Sequence, residues 1–397
     1  MNRGDQVIYL DNAATTPLHP SAREAMLPYL SEVFANPSSM YTTAREVRKS
    51  IDNARQITAS AINADPSEIF FTAGGTEADN WALLGVAEAK GNEGGHIITS
   101  TIEHPGIQQM CEHLKSRGFE ITTVEVDHTG KINPAHIKRE IRPNTCLVSI
   151  MLANNEVGTI QPLAEIAKIT QAHKIPLHTD AVQAVGHIPV DVKSLGVDIL
   201  SLSAHKFYGP KGAGALYVRK GVAIAPMLFG GAQERNRRAG TENVMGIVGL
   251  AAALAATQKE LQAEQSRLTS MRDALIQEIQ SNIPYTKLNG ATGKDRLPGN
   301  INISFRFIEG ESLLLHLDMH GIYASTGSAC SSGALEPSHV LMSMGLDHEH
   351  ANGAIRFTLG RENSKEDITA LMKVLTPTVE KLRSMSPLYD DFSKSMM

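Results

Sequence analysis

Leu177-His178-Thr179-Asp180-Ala181-Val182-Gln183 and, further along, Leu200-Ser201-Leu202-Ser203-Ala204-His205-Lys206 are two strand-like runs, each ending in a chemically committed residue. A carboxylate and an amine delivered by successive strands of an open sheet form the pair that pyridoxal phosphate requires. The lysine makes a Schiff base and the aspartate keeps the pyridinium nitrogen protonated. Taken singly, an Asp closing a strand is an ordinary turn former and a loop Lys an ordinary solvated charge. The neighbours of Lys206 shift that balance. Ser203 and His205 precede it and Tyr208-Gly209-Pro210-Lys211-Gly212-Ala213-Gly214 follows, a run of small and hydroxyl residues whose amides can approach a phosphate. Lys211 competes as the amine, but it lies in the glycine-rich turn, whereas Lys206 directly ends an apolar strand.

Working outward, short apolar runs at Ile97 to Thr99, Ile121 to Val126, Leu147 to Leu152, Ile175 to Leu177, Asp198 to Leu202 and Ala215 to Val218 alternate with helix-length segments. This pattern predicts an α/β fold with a doubly wound, largely parallel sheet. Ligands in such sheets bind beyond the carboxyl ends of the strands, where Asp180, Ser203, His205 and Lys206 fall. The apolar run Val244 to Ala256 is interrupted by glycines and is shorter than the roughly 20 residues of a spanning helix, so it reads as a buried helix. Thr257 to Ile279 then carries Leu261, Leu268, Met271, Leu275 and Ile279 at helical spacing, as in a long amphipathic connector. The domain boundary is placed there. A large domain is expected over residues 16–258, and a smaller α+β domain over 1–15 and 259–397. The smaller domain is read from the alternating Ile301, Ile303 and Phe305, a helix from Glu309 to His320 and a strand at Ile322.

Composition narrows the function classes. The chain has 397 residues, 42% of them hydrophobic, enough for one large core and a smaller one. With 37 basic and 42 acidic residues, a net charge of −5 gives no electrostatic reason to expect nucleic acid or an anionic membrane as partner. A small-molecule substrate is expected instead. The first residues lack a signal peptide's apolar stretch. Three cysteines make neither a disulfide framework nor metal-ligand spacing, so a reducing, cytoplasmic setting is expected and no metal.

Other residues could carry chemistry. Thr72-Ala73-Gly74-Gly75-Thr76-Glu77-Ala78-Asp79 stands between an apolar strand and a helix, a helix N-terminus suited to an anion, although an ordinary Thr-capped helix explains it too. His104 in Thr101-Ile102-Glu103-His104-Pro105 reads equally as a cap or as an imidazole that stacks on a pyridine ring and passes protons. Asn154-Asn155-Glu156-Val157-Gly158 follows a buried strand, and turn chemistry accounts for it as well. Arg356 alternates with Ile355 and Phe357, so it faces solvent or the cleft, where a guanidinium suits a substrate carboxylate. Cys111 and Cys146 read as packing residues. Cys330, in Ser325-Thr326-Gly327-Ser328-Ala329-Cys330-Ser331-Ser332-Gly333-Ala334, has no large neighbour to bury it and suits a nucleophile that must swing. The run Gln233 to Asn243 reads as a solvated basic surface.

These segments together resemble the cysteine desulfurases of the NifS/IscS type, within the class V aminotransferase-like family of fold type I pyridoxal-phosphate enzymes. The match runs almost end to end: Tyr9-Leu10-Asp11-Asn12-Ala13-Ala14-Thr15-Thr16, Asn36-Pro37-Ser38-Ser39, Thr179-Asp180-Ala181-Val182-Gln183, Ser203-Ala204-His205-Lys206, Arg238-Ala239-Gly240-Thr241, Gly327-Ser328-Ala329-Cys330, Leu335-Glu336-Pro337-Ser338-His339 and Ile355-Arg356-Phe357. The resemblance implies that Lys206 binds the coenzyme covalently, Asp180 pairs with the ring nitrogen and His104 stacks on the ring. It assigns Gln183 and Asn155 to the ring hydroxyl, and Gly75, Thr76, Ser203 and His205 to the phosphate. Thr241 would reach the phosphate of a partner subunit, making a homodimer. Arg356 with Asn155 would hold the carboxylate of L-cysteine, and Cys330 would take its sulfur as a persulfide, with His104 removing the thiol proton. Alanine would be released and the sulfur passed to an acceptor protein or thiol, for iron–sulfur clusters or tRNA thiolation. A selenocysteine lyase or class V aminotransferase would share Lys206 and Asp180, though an aminotransferase has no use for Cys330. A non-catalytic sulfur-relay scaffold would need none of the four residues Lys206, Asp180, His104 and Cys330. The segment after Cys330 is similar to the subgroup with an extended mobile loop. Tyr41 and Ala44 depart from the family's usual His and Gly, which bears on the substrate entrance.

Overall fold

Buried β-branched and leucine-rich runs of four or five residues, too short for helices, build the centre of the molecule. After the short β1 (Ile8–Tyr9) come β2 (Ile69–Thr72), β3 (His96–Ser100), β4 (Glu120–Val124), β5 (Thr145–Ser149), β6 (Leu177–Asp180), β7 (Ile199–Ser203) and β8 (Gly214–Val218). From β2 to β8 they form one sheet in the order β2-β8-β7-β6-β5-β3-β4. It is parallel from β4 through β7, and β8 runs antiparallel to both of its neighbours. Every residue of β2, β3, β5, β6, β7 and β8 is buried, as expected of strands covered on both faces. The computed structural model describes residues 7–91, 94–326 and 337–395.

The expected strand at Ile175 to Leu177 lies instead at Leu177–Asp180. His178 extends it because both ring nitrogens find hydroxyl partners on the flanking strands, Ser149 Oγ at 2.8 Å and Ser201 Oγ at 3.1 Å. The buried run and the amphipathic connector prove to be one helix, Val244–Asn282. By length and composition it could pass for a membrane span. Its first part packs Ile247, Leu250 and Leu254 into the core around the sheet, while Leu268, Met271, Leu275 and Ile279 join a second core. The boundary expected at residue 258 therefore falls inside a continuous helix.

The second core is built on β9 (Thr286–Leu288), β10 (Asn300–Phe305), β11 (Ile322–Tyr323) and β12 (Ala354–Thr358). β10 is the centre of an antiparallel trio with β9 and β12, and β1 pairs with β11. Ile301, Ile303 and Phe305 meet Phe357 and the N-terminal Ile8 and Leu10 here. Each such buried side chain contributes roughly 1.5–3 kcal/mol. The alternate residues Asn300 and Asn302 are also buried and donate to the Glu156 carbonyl at 3.2 Å each. The polar face of β10 thus presses on the loop after β5, and the two cores meet beside the site.

Candidate active site

The carboxyl ends of β2, β3, β5, β6 and β7 converge on a cavity of about 250 Å³, closed from the other side by Arg356. At one end of it, β2 turns through Gly74 into the helix Gly75–Ala89, whose N-cap has no side-chain hydrogen bond. The ordinary reading of a Thr-capped helix is thereby replaced by first-turn amides available to an anion. Gly75 is required by space, since a Cβ there would come within 2.8 Å of Val182 Cγ2. Thr76, Ser203 and His205 line the cavity as well. His205 Nδ1 lies 3.1 Å from Thr15 Oγ1. Burial, with Lys206 and Lys211 nearby, pushes its pKa down to about 4.

β6 ends in Asp180, buried on the cavity floor, where the Val182 N–H donates to Oδ1 at 2.8 Å. Burial raises its pKa, opposed by His104 and Lys206. β7 ends in a tight turn that aims Lys206 across the cavity, with Nζ donating to the carbonyls of Ala13 and Ala14 at 2.6 and 2.7 Å. His187 Nε2 fixes the Lys206 carbonyl at 2.7 Å. Lys211 is exposed and does not line the cavity. Gln183 and Asn155 do line it, the former donating to Ala13 at 2.9 Å.

His104 is a helix cap that also faces the cavity. It lines the cavity, and its Nδ1 caps the helix Pro105–Ser116 by accepting from the Gly106 N–H at 3.1 Å. Desolvation lowers its pKa, and the cap assigns the proton of the neutral ring to Nε2. Nε2 is therefore a donor as it stands. Taking a thiol proton there requires the ring to change tautomer and release Gly106.

Arg356 faces the cleft, not solvent. Its Nη2 pairs with Asp11 Oδ1 at 2.8 Å and Nη1 donates to the Asn155 carbonyl at 3.1 Å, while the buried Nε has no hydrogen-bond partner. The cavity therefore offers an uncapped helix terminus, an amine, a buried carboxylate and a flat neutral imidazole. These correspond to the phosphate, aldehyde, ring nitrogen and ring face of pyridoxal phosphate, so the residues present fit that group.

The matching family model, aminotransferase class-V, spans residues 8–371. The cysteine desulfurase IscS of Methanosarcina thermophila is 52% identical over 97% of this chain and 95% of its own length. The chain belongs to the cysteine desulfurases of the class-V aminotransferase family. A solved NifS-like protein superposes with a TM-score of 0.89 at 37% identity, covering 95% of this chain and 100% of that one. SspA in complex with cysteine superposes at 0.79 and 36% identity, over 89% of this chain and 98% of that one. The fold is accordingly that of the fold type I enzymes, as the resemblance implied, and its α/β sheet is the one the alternation of strands and helices predicted.

Against this desulfurase frame, Cys330 lies outside the described residues. The chain on either side of it is tied to the cavity wall. Ser325 exchanges both backbone hydrogen bonds with Arg356, at 3.2 and 2.7 Å, and the His339 ring contacts the Glu103 carbonyl at 3.1 Å. Cys111 and Cys146 are buried free thiols, and burial pushes Cys111 up to about 12. Thr241 is exposed outside the cavity. Tyr41 is exposed and Ala44 buried, and neither lines the cavity.

The run Gln233 to Asn243 departs from the solvated surface expected of it. Glu234 is buried, pairs with Arg55 at 2.7 Å and accepts the Phe71 N–H at 2.9 Å. Arg235 lies 4.1 Å over the Phe70 ring, and Arg238 pairs with Glu77 in the first turn of the phosphate-end helix. Glu234, Arg235 and Asn236 all hold left-handed φ angles of 43°, 59° and 62°. Non-glycine residues keep such angles only where surrounding contacts over-determine them.

Two buried groups escaped the sequence reading. Asp79 lines the cavity behind Asp180, with His178 Nε2 3.6 Å from its Oδ1. Burial and the nearby Asp180 hold its pKa well above the usual carboxylate range. Glu103 accepts from Ser100 Oγ and the Met151 N–H, and burial pushes it up to about 8. An acidic residue flanked by buried alanine and tryptophan within one helical turn is the signal for Asp79, since a charge there would be costly.

Proposed function

We propose that this chain is a homodimeric cysteine desulfurase that uses pyridoxal phosphate and carries sulfur on Cys330. The observation that carries the reading is the placement of Lys206 and Asp180 in one cavity with an uncapped helix N-terminus. Gly75, Thr76, Ser203 and His205 would hold the phosphate, Asp180 the ring nitrogen, His104 the ring face, Gln183 and Asn155 the ring hydroxyl, and Lys206 the aldehyde carbon. Bound there, the coenzyme supplies an electron sink for a carbanion at the substrate Cα.

Arg356, with Asn155 beside it, orients L-cysteine by its carboxylate, and the Asp11 pair keeps the guanidinium aimed. Lys206 Nζ, which would hold the coenzyme before substrate binds, would then move the Cα proton. The Cys330 thiolate attacks the substrate sulfur, so that an S–S bond forms as the Cβ–S bond breaks. The electron pair stays with the substrate carbon, which takes up a proton and leaves as alanine. A thiol of ordinary pKa near 8.5 is only a few per cent ionised at neutral pH, so its proton must be taken. His104 serves only after leaving its cap on Gly106. The persulfide then passes to an acceptor protein or thiol supplying iron–sulfur clusters or thiolated tRNA.

Thr241 reaches a phosphate only from a second subunit. Support for that assembly comes from the tied-down Arg238 loop and from Phe34, Met40 and Phe229, each more than four-fifths exposed. Exposed apolar side chains mark an association surface where they join into a contiguous patch. The test is mass spectrometry after L-cysteine treatment. The native protein gains one sulfur at Cys330, and Cys330→Ala stays yellow, binds cysteine and releases no sulfide. Undiminished sulfide release by Cys330→Ala would falsify the assignment.

A further inference from the structure

The buried carboxyl of Glu156 has no task in the chemistry above. Its backbone follows Asn155, a cavity residue, and its carbonyl receives Asn300 and Asn302 of β10. Its side chain accepts a hydrogen bond from the Ser338 hydroxyl. Both partners are almost fully buried, with relative exposures of 5% and 4%. Ser338 is also the N-cap of the helix His339–Ser343, its Oγ accepting from the Leu341 N–H at 3.2 Å. The next residue, His339, touches the Glu103 carbonyl, next to His104. At the other end, Ser325 is bridged to Arg356. The two described ends of the stretch that contains Cys330 are thus fastened to the immediate neighbours of Asn155 and His104 and to Arg356 itself.

We infer that Glu156 is a positioning residue for sulfur transfer: through Ser338 it fixes the downstream anchor of the Cys330-bearing chain against the substrate wall. The inference rests on Cys330 being the sulfur acceptor. Burying a carboxyl costs free energy unless it is hydrogen-bonded, and among the described residues the Ser338 hydroxyl is the partner that meets that need. Burial pushes Glu156 up to about 7, with Ser338 and Arg356 opposing. Its neutral form still accepts the Ser338 hydroxyl, so an amide can replace it.

The experiment uses coenzyme-loaded Glu156→Ala, Glu156→Gln, Ser338→Ala and Cys330→Ala proteins mixed rapidly with L-cysteine. The coenzyme's absorption change and the persulfide at Cys330 are followed separately. Glu156→Ala and Ser338→Ala are expected to keep the absorption change at the native rate and to form persulfide roughly ten- to a hundredfold more slowly, the scale of a misplaced reacting group. Glu156→Gln restores persulfide formation to within about threefold, because its carbonyl still accepts. Native-rate persulfide formation in both truncations overturns the inference. So does an equal slowing of both signals, which marks a merely structural role. Sulfide release by Cys330→Ala would bring down the underlying reading instead, and silence there with a fast Glu156→Ala removes only this inference. If Glu156→Ala does not fold, Ser338→Ala carries the same two outcomes.

Discussion

The two walls of the cavity are built by different means. The sheet wall takes its residues from consecutive strand ends: Asp180 closes β6, Ser203 closes β7 with Lys206 just beyond, and Gly75 and Thr76 open the helix after β2. The opposite wall is assembled from segments far apart in the chain. Arg356 pairs with Asp11 across 345 positions, and Ser338 meets Glu156 across 182. In the proposed reaction the first wall meets the coenzyme, and the second meets cysteine and its sulfur. Substitutions on the first wall should therefore disturb the coenzyme, and those on the second the handling of substrate.

The largest effect that separates the walls is expected at Asp180. Asp180→Ala removes the carboxylate opposite the ring nitrogen and lowers kcat/KM by roughly 100- to 1,000-fold, with an altered absorption spectrum of the bound coenzyme. An unchanged spectrum and rate would place the ring elsewhere. A smaller effect of different kind is expected at Arg356. Arg356→Lys loses the forked donor set, worth about 1.5–3 kcal/mol for a hydrogen bond to a charged group. Steady-state kinetics should show KM for cysteine raised roughly ten- to a hundredfold with the coenzyme spectrum intact. If the spectrum changed as much as KM, the division between the walls would be lost.

A third effect concerns stability. Glu103 lies behind the sheet wall with its pKa raised from 4.5 to about 8 by burial. Across that window the folded protein keeps a proton that the unfolded chain has released, so Glu103's contribution to stability is present below the lower value and lost as pH rises toward the upper one. Thermal unfolding at about pH 5 and about pH 8 should show a smaller drop for Glu103→Gln than for the native protein. Equal drops would mean that Glu103 is ionised in the folded state. Glu156, raised in the same direction, works on the other wall by the same sign.

The contrast between the walls also explains what was legible in the sequence. Asp180, Ser203, His205 and Lys206 could be read because a strand end is a local feature and the parallel pattern assigns all such ends to one edge. Gly74-Gly75 was legible for the same reason, although whether Thr or Gly capped the helix required the backbone itself. Arg356 showed in its alternation with Ile355 and Phe357, but the choice of cleft over solvent depended on Asp11 and Asn155, which no local pattern connects to it. The loop around Glu234 was misread because its charges find partners in Arg55, Phe70 and Glu77, all well separated from it in the chain. The helix Val244–Asn282 read as two pieces because its apolar face changes partner near Thr257, while no Gly or Pro between Thr257 and Ser281 breaks the backbone. Glu156 carries neither a motif nor a period, and only its burial reveals it.

The sheet wall is the foundation of this account, and covalent trapping tests it most directly. The coenzyme-loaded protein is reduced with borohydride, digested and mapped by mass spectrometry. The account predicts a phosphopyridoxyl group on Lys206 alone, and the group found on Lys211, or on no lysine, would contradict it.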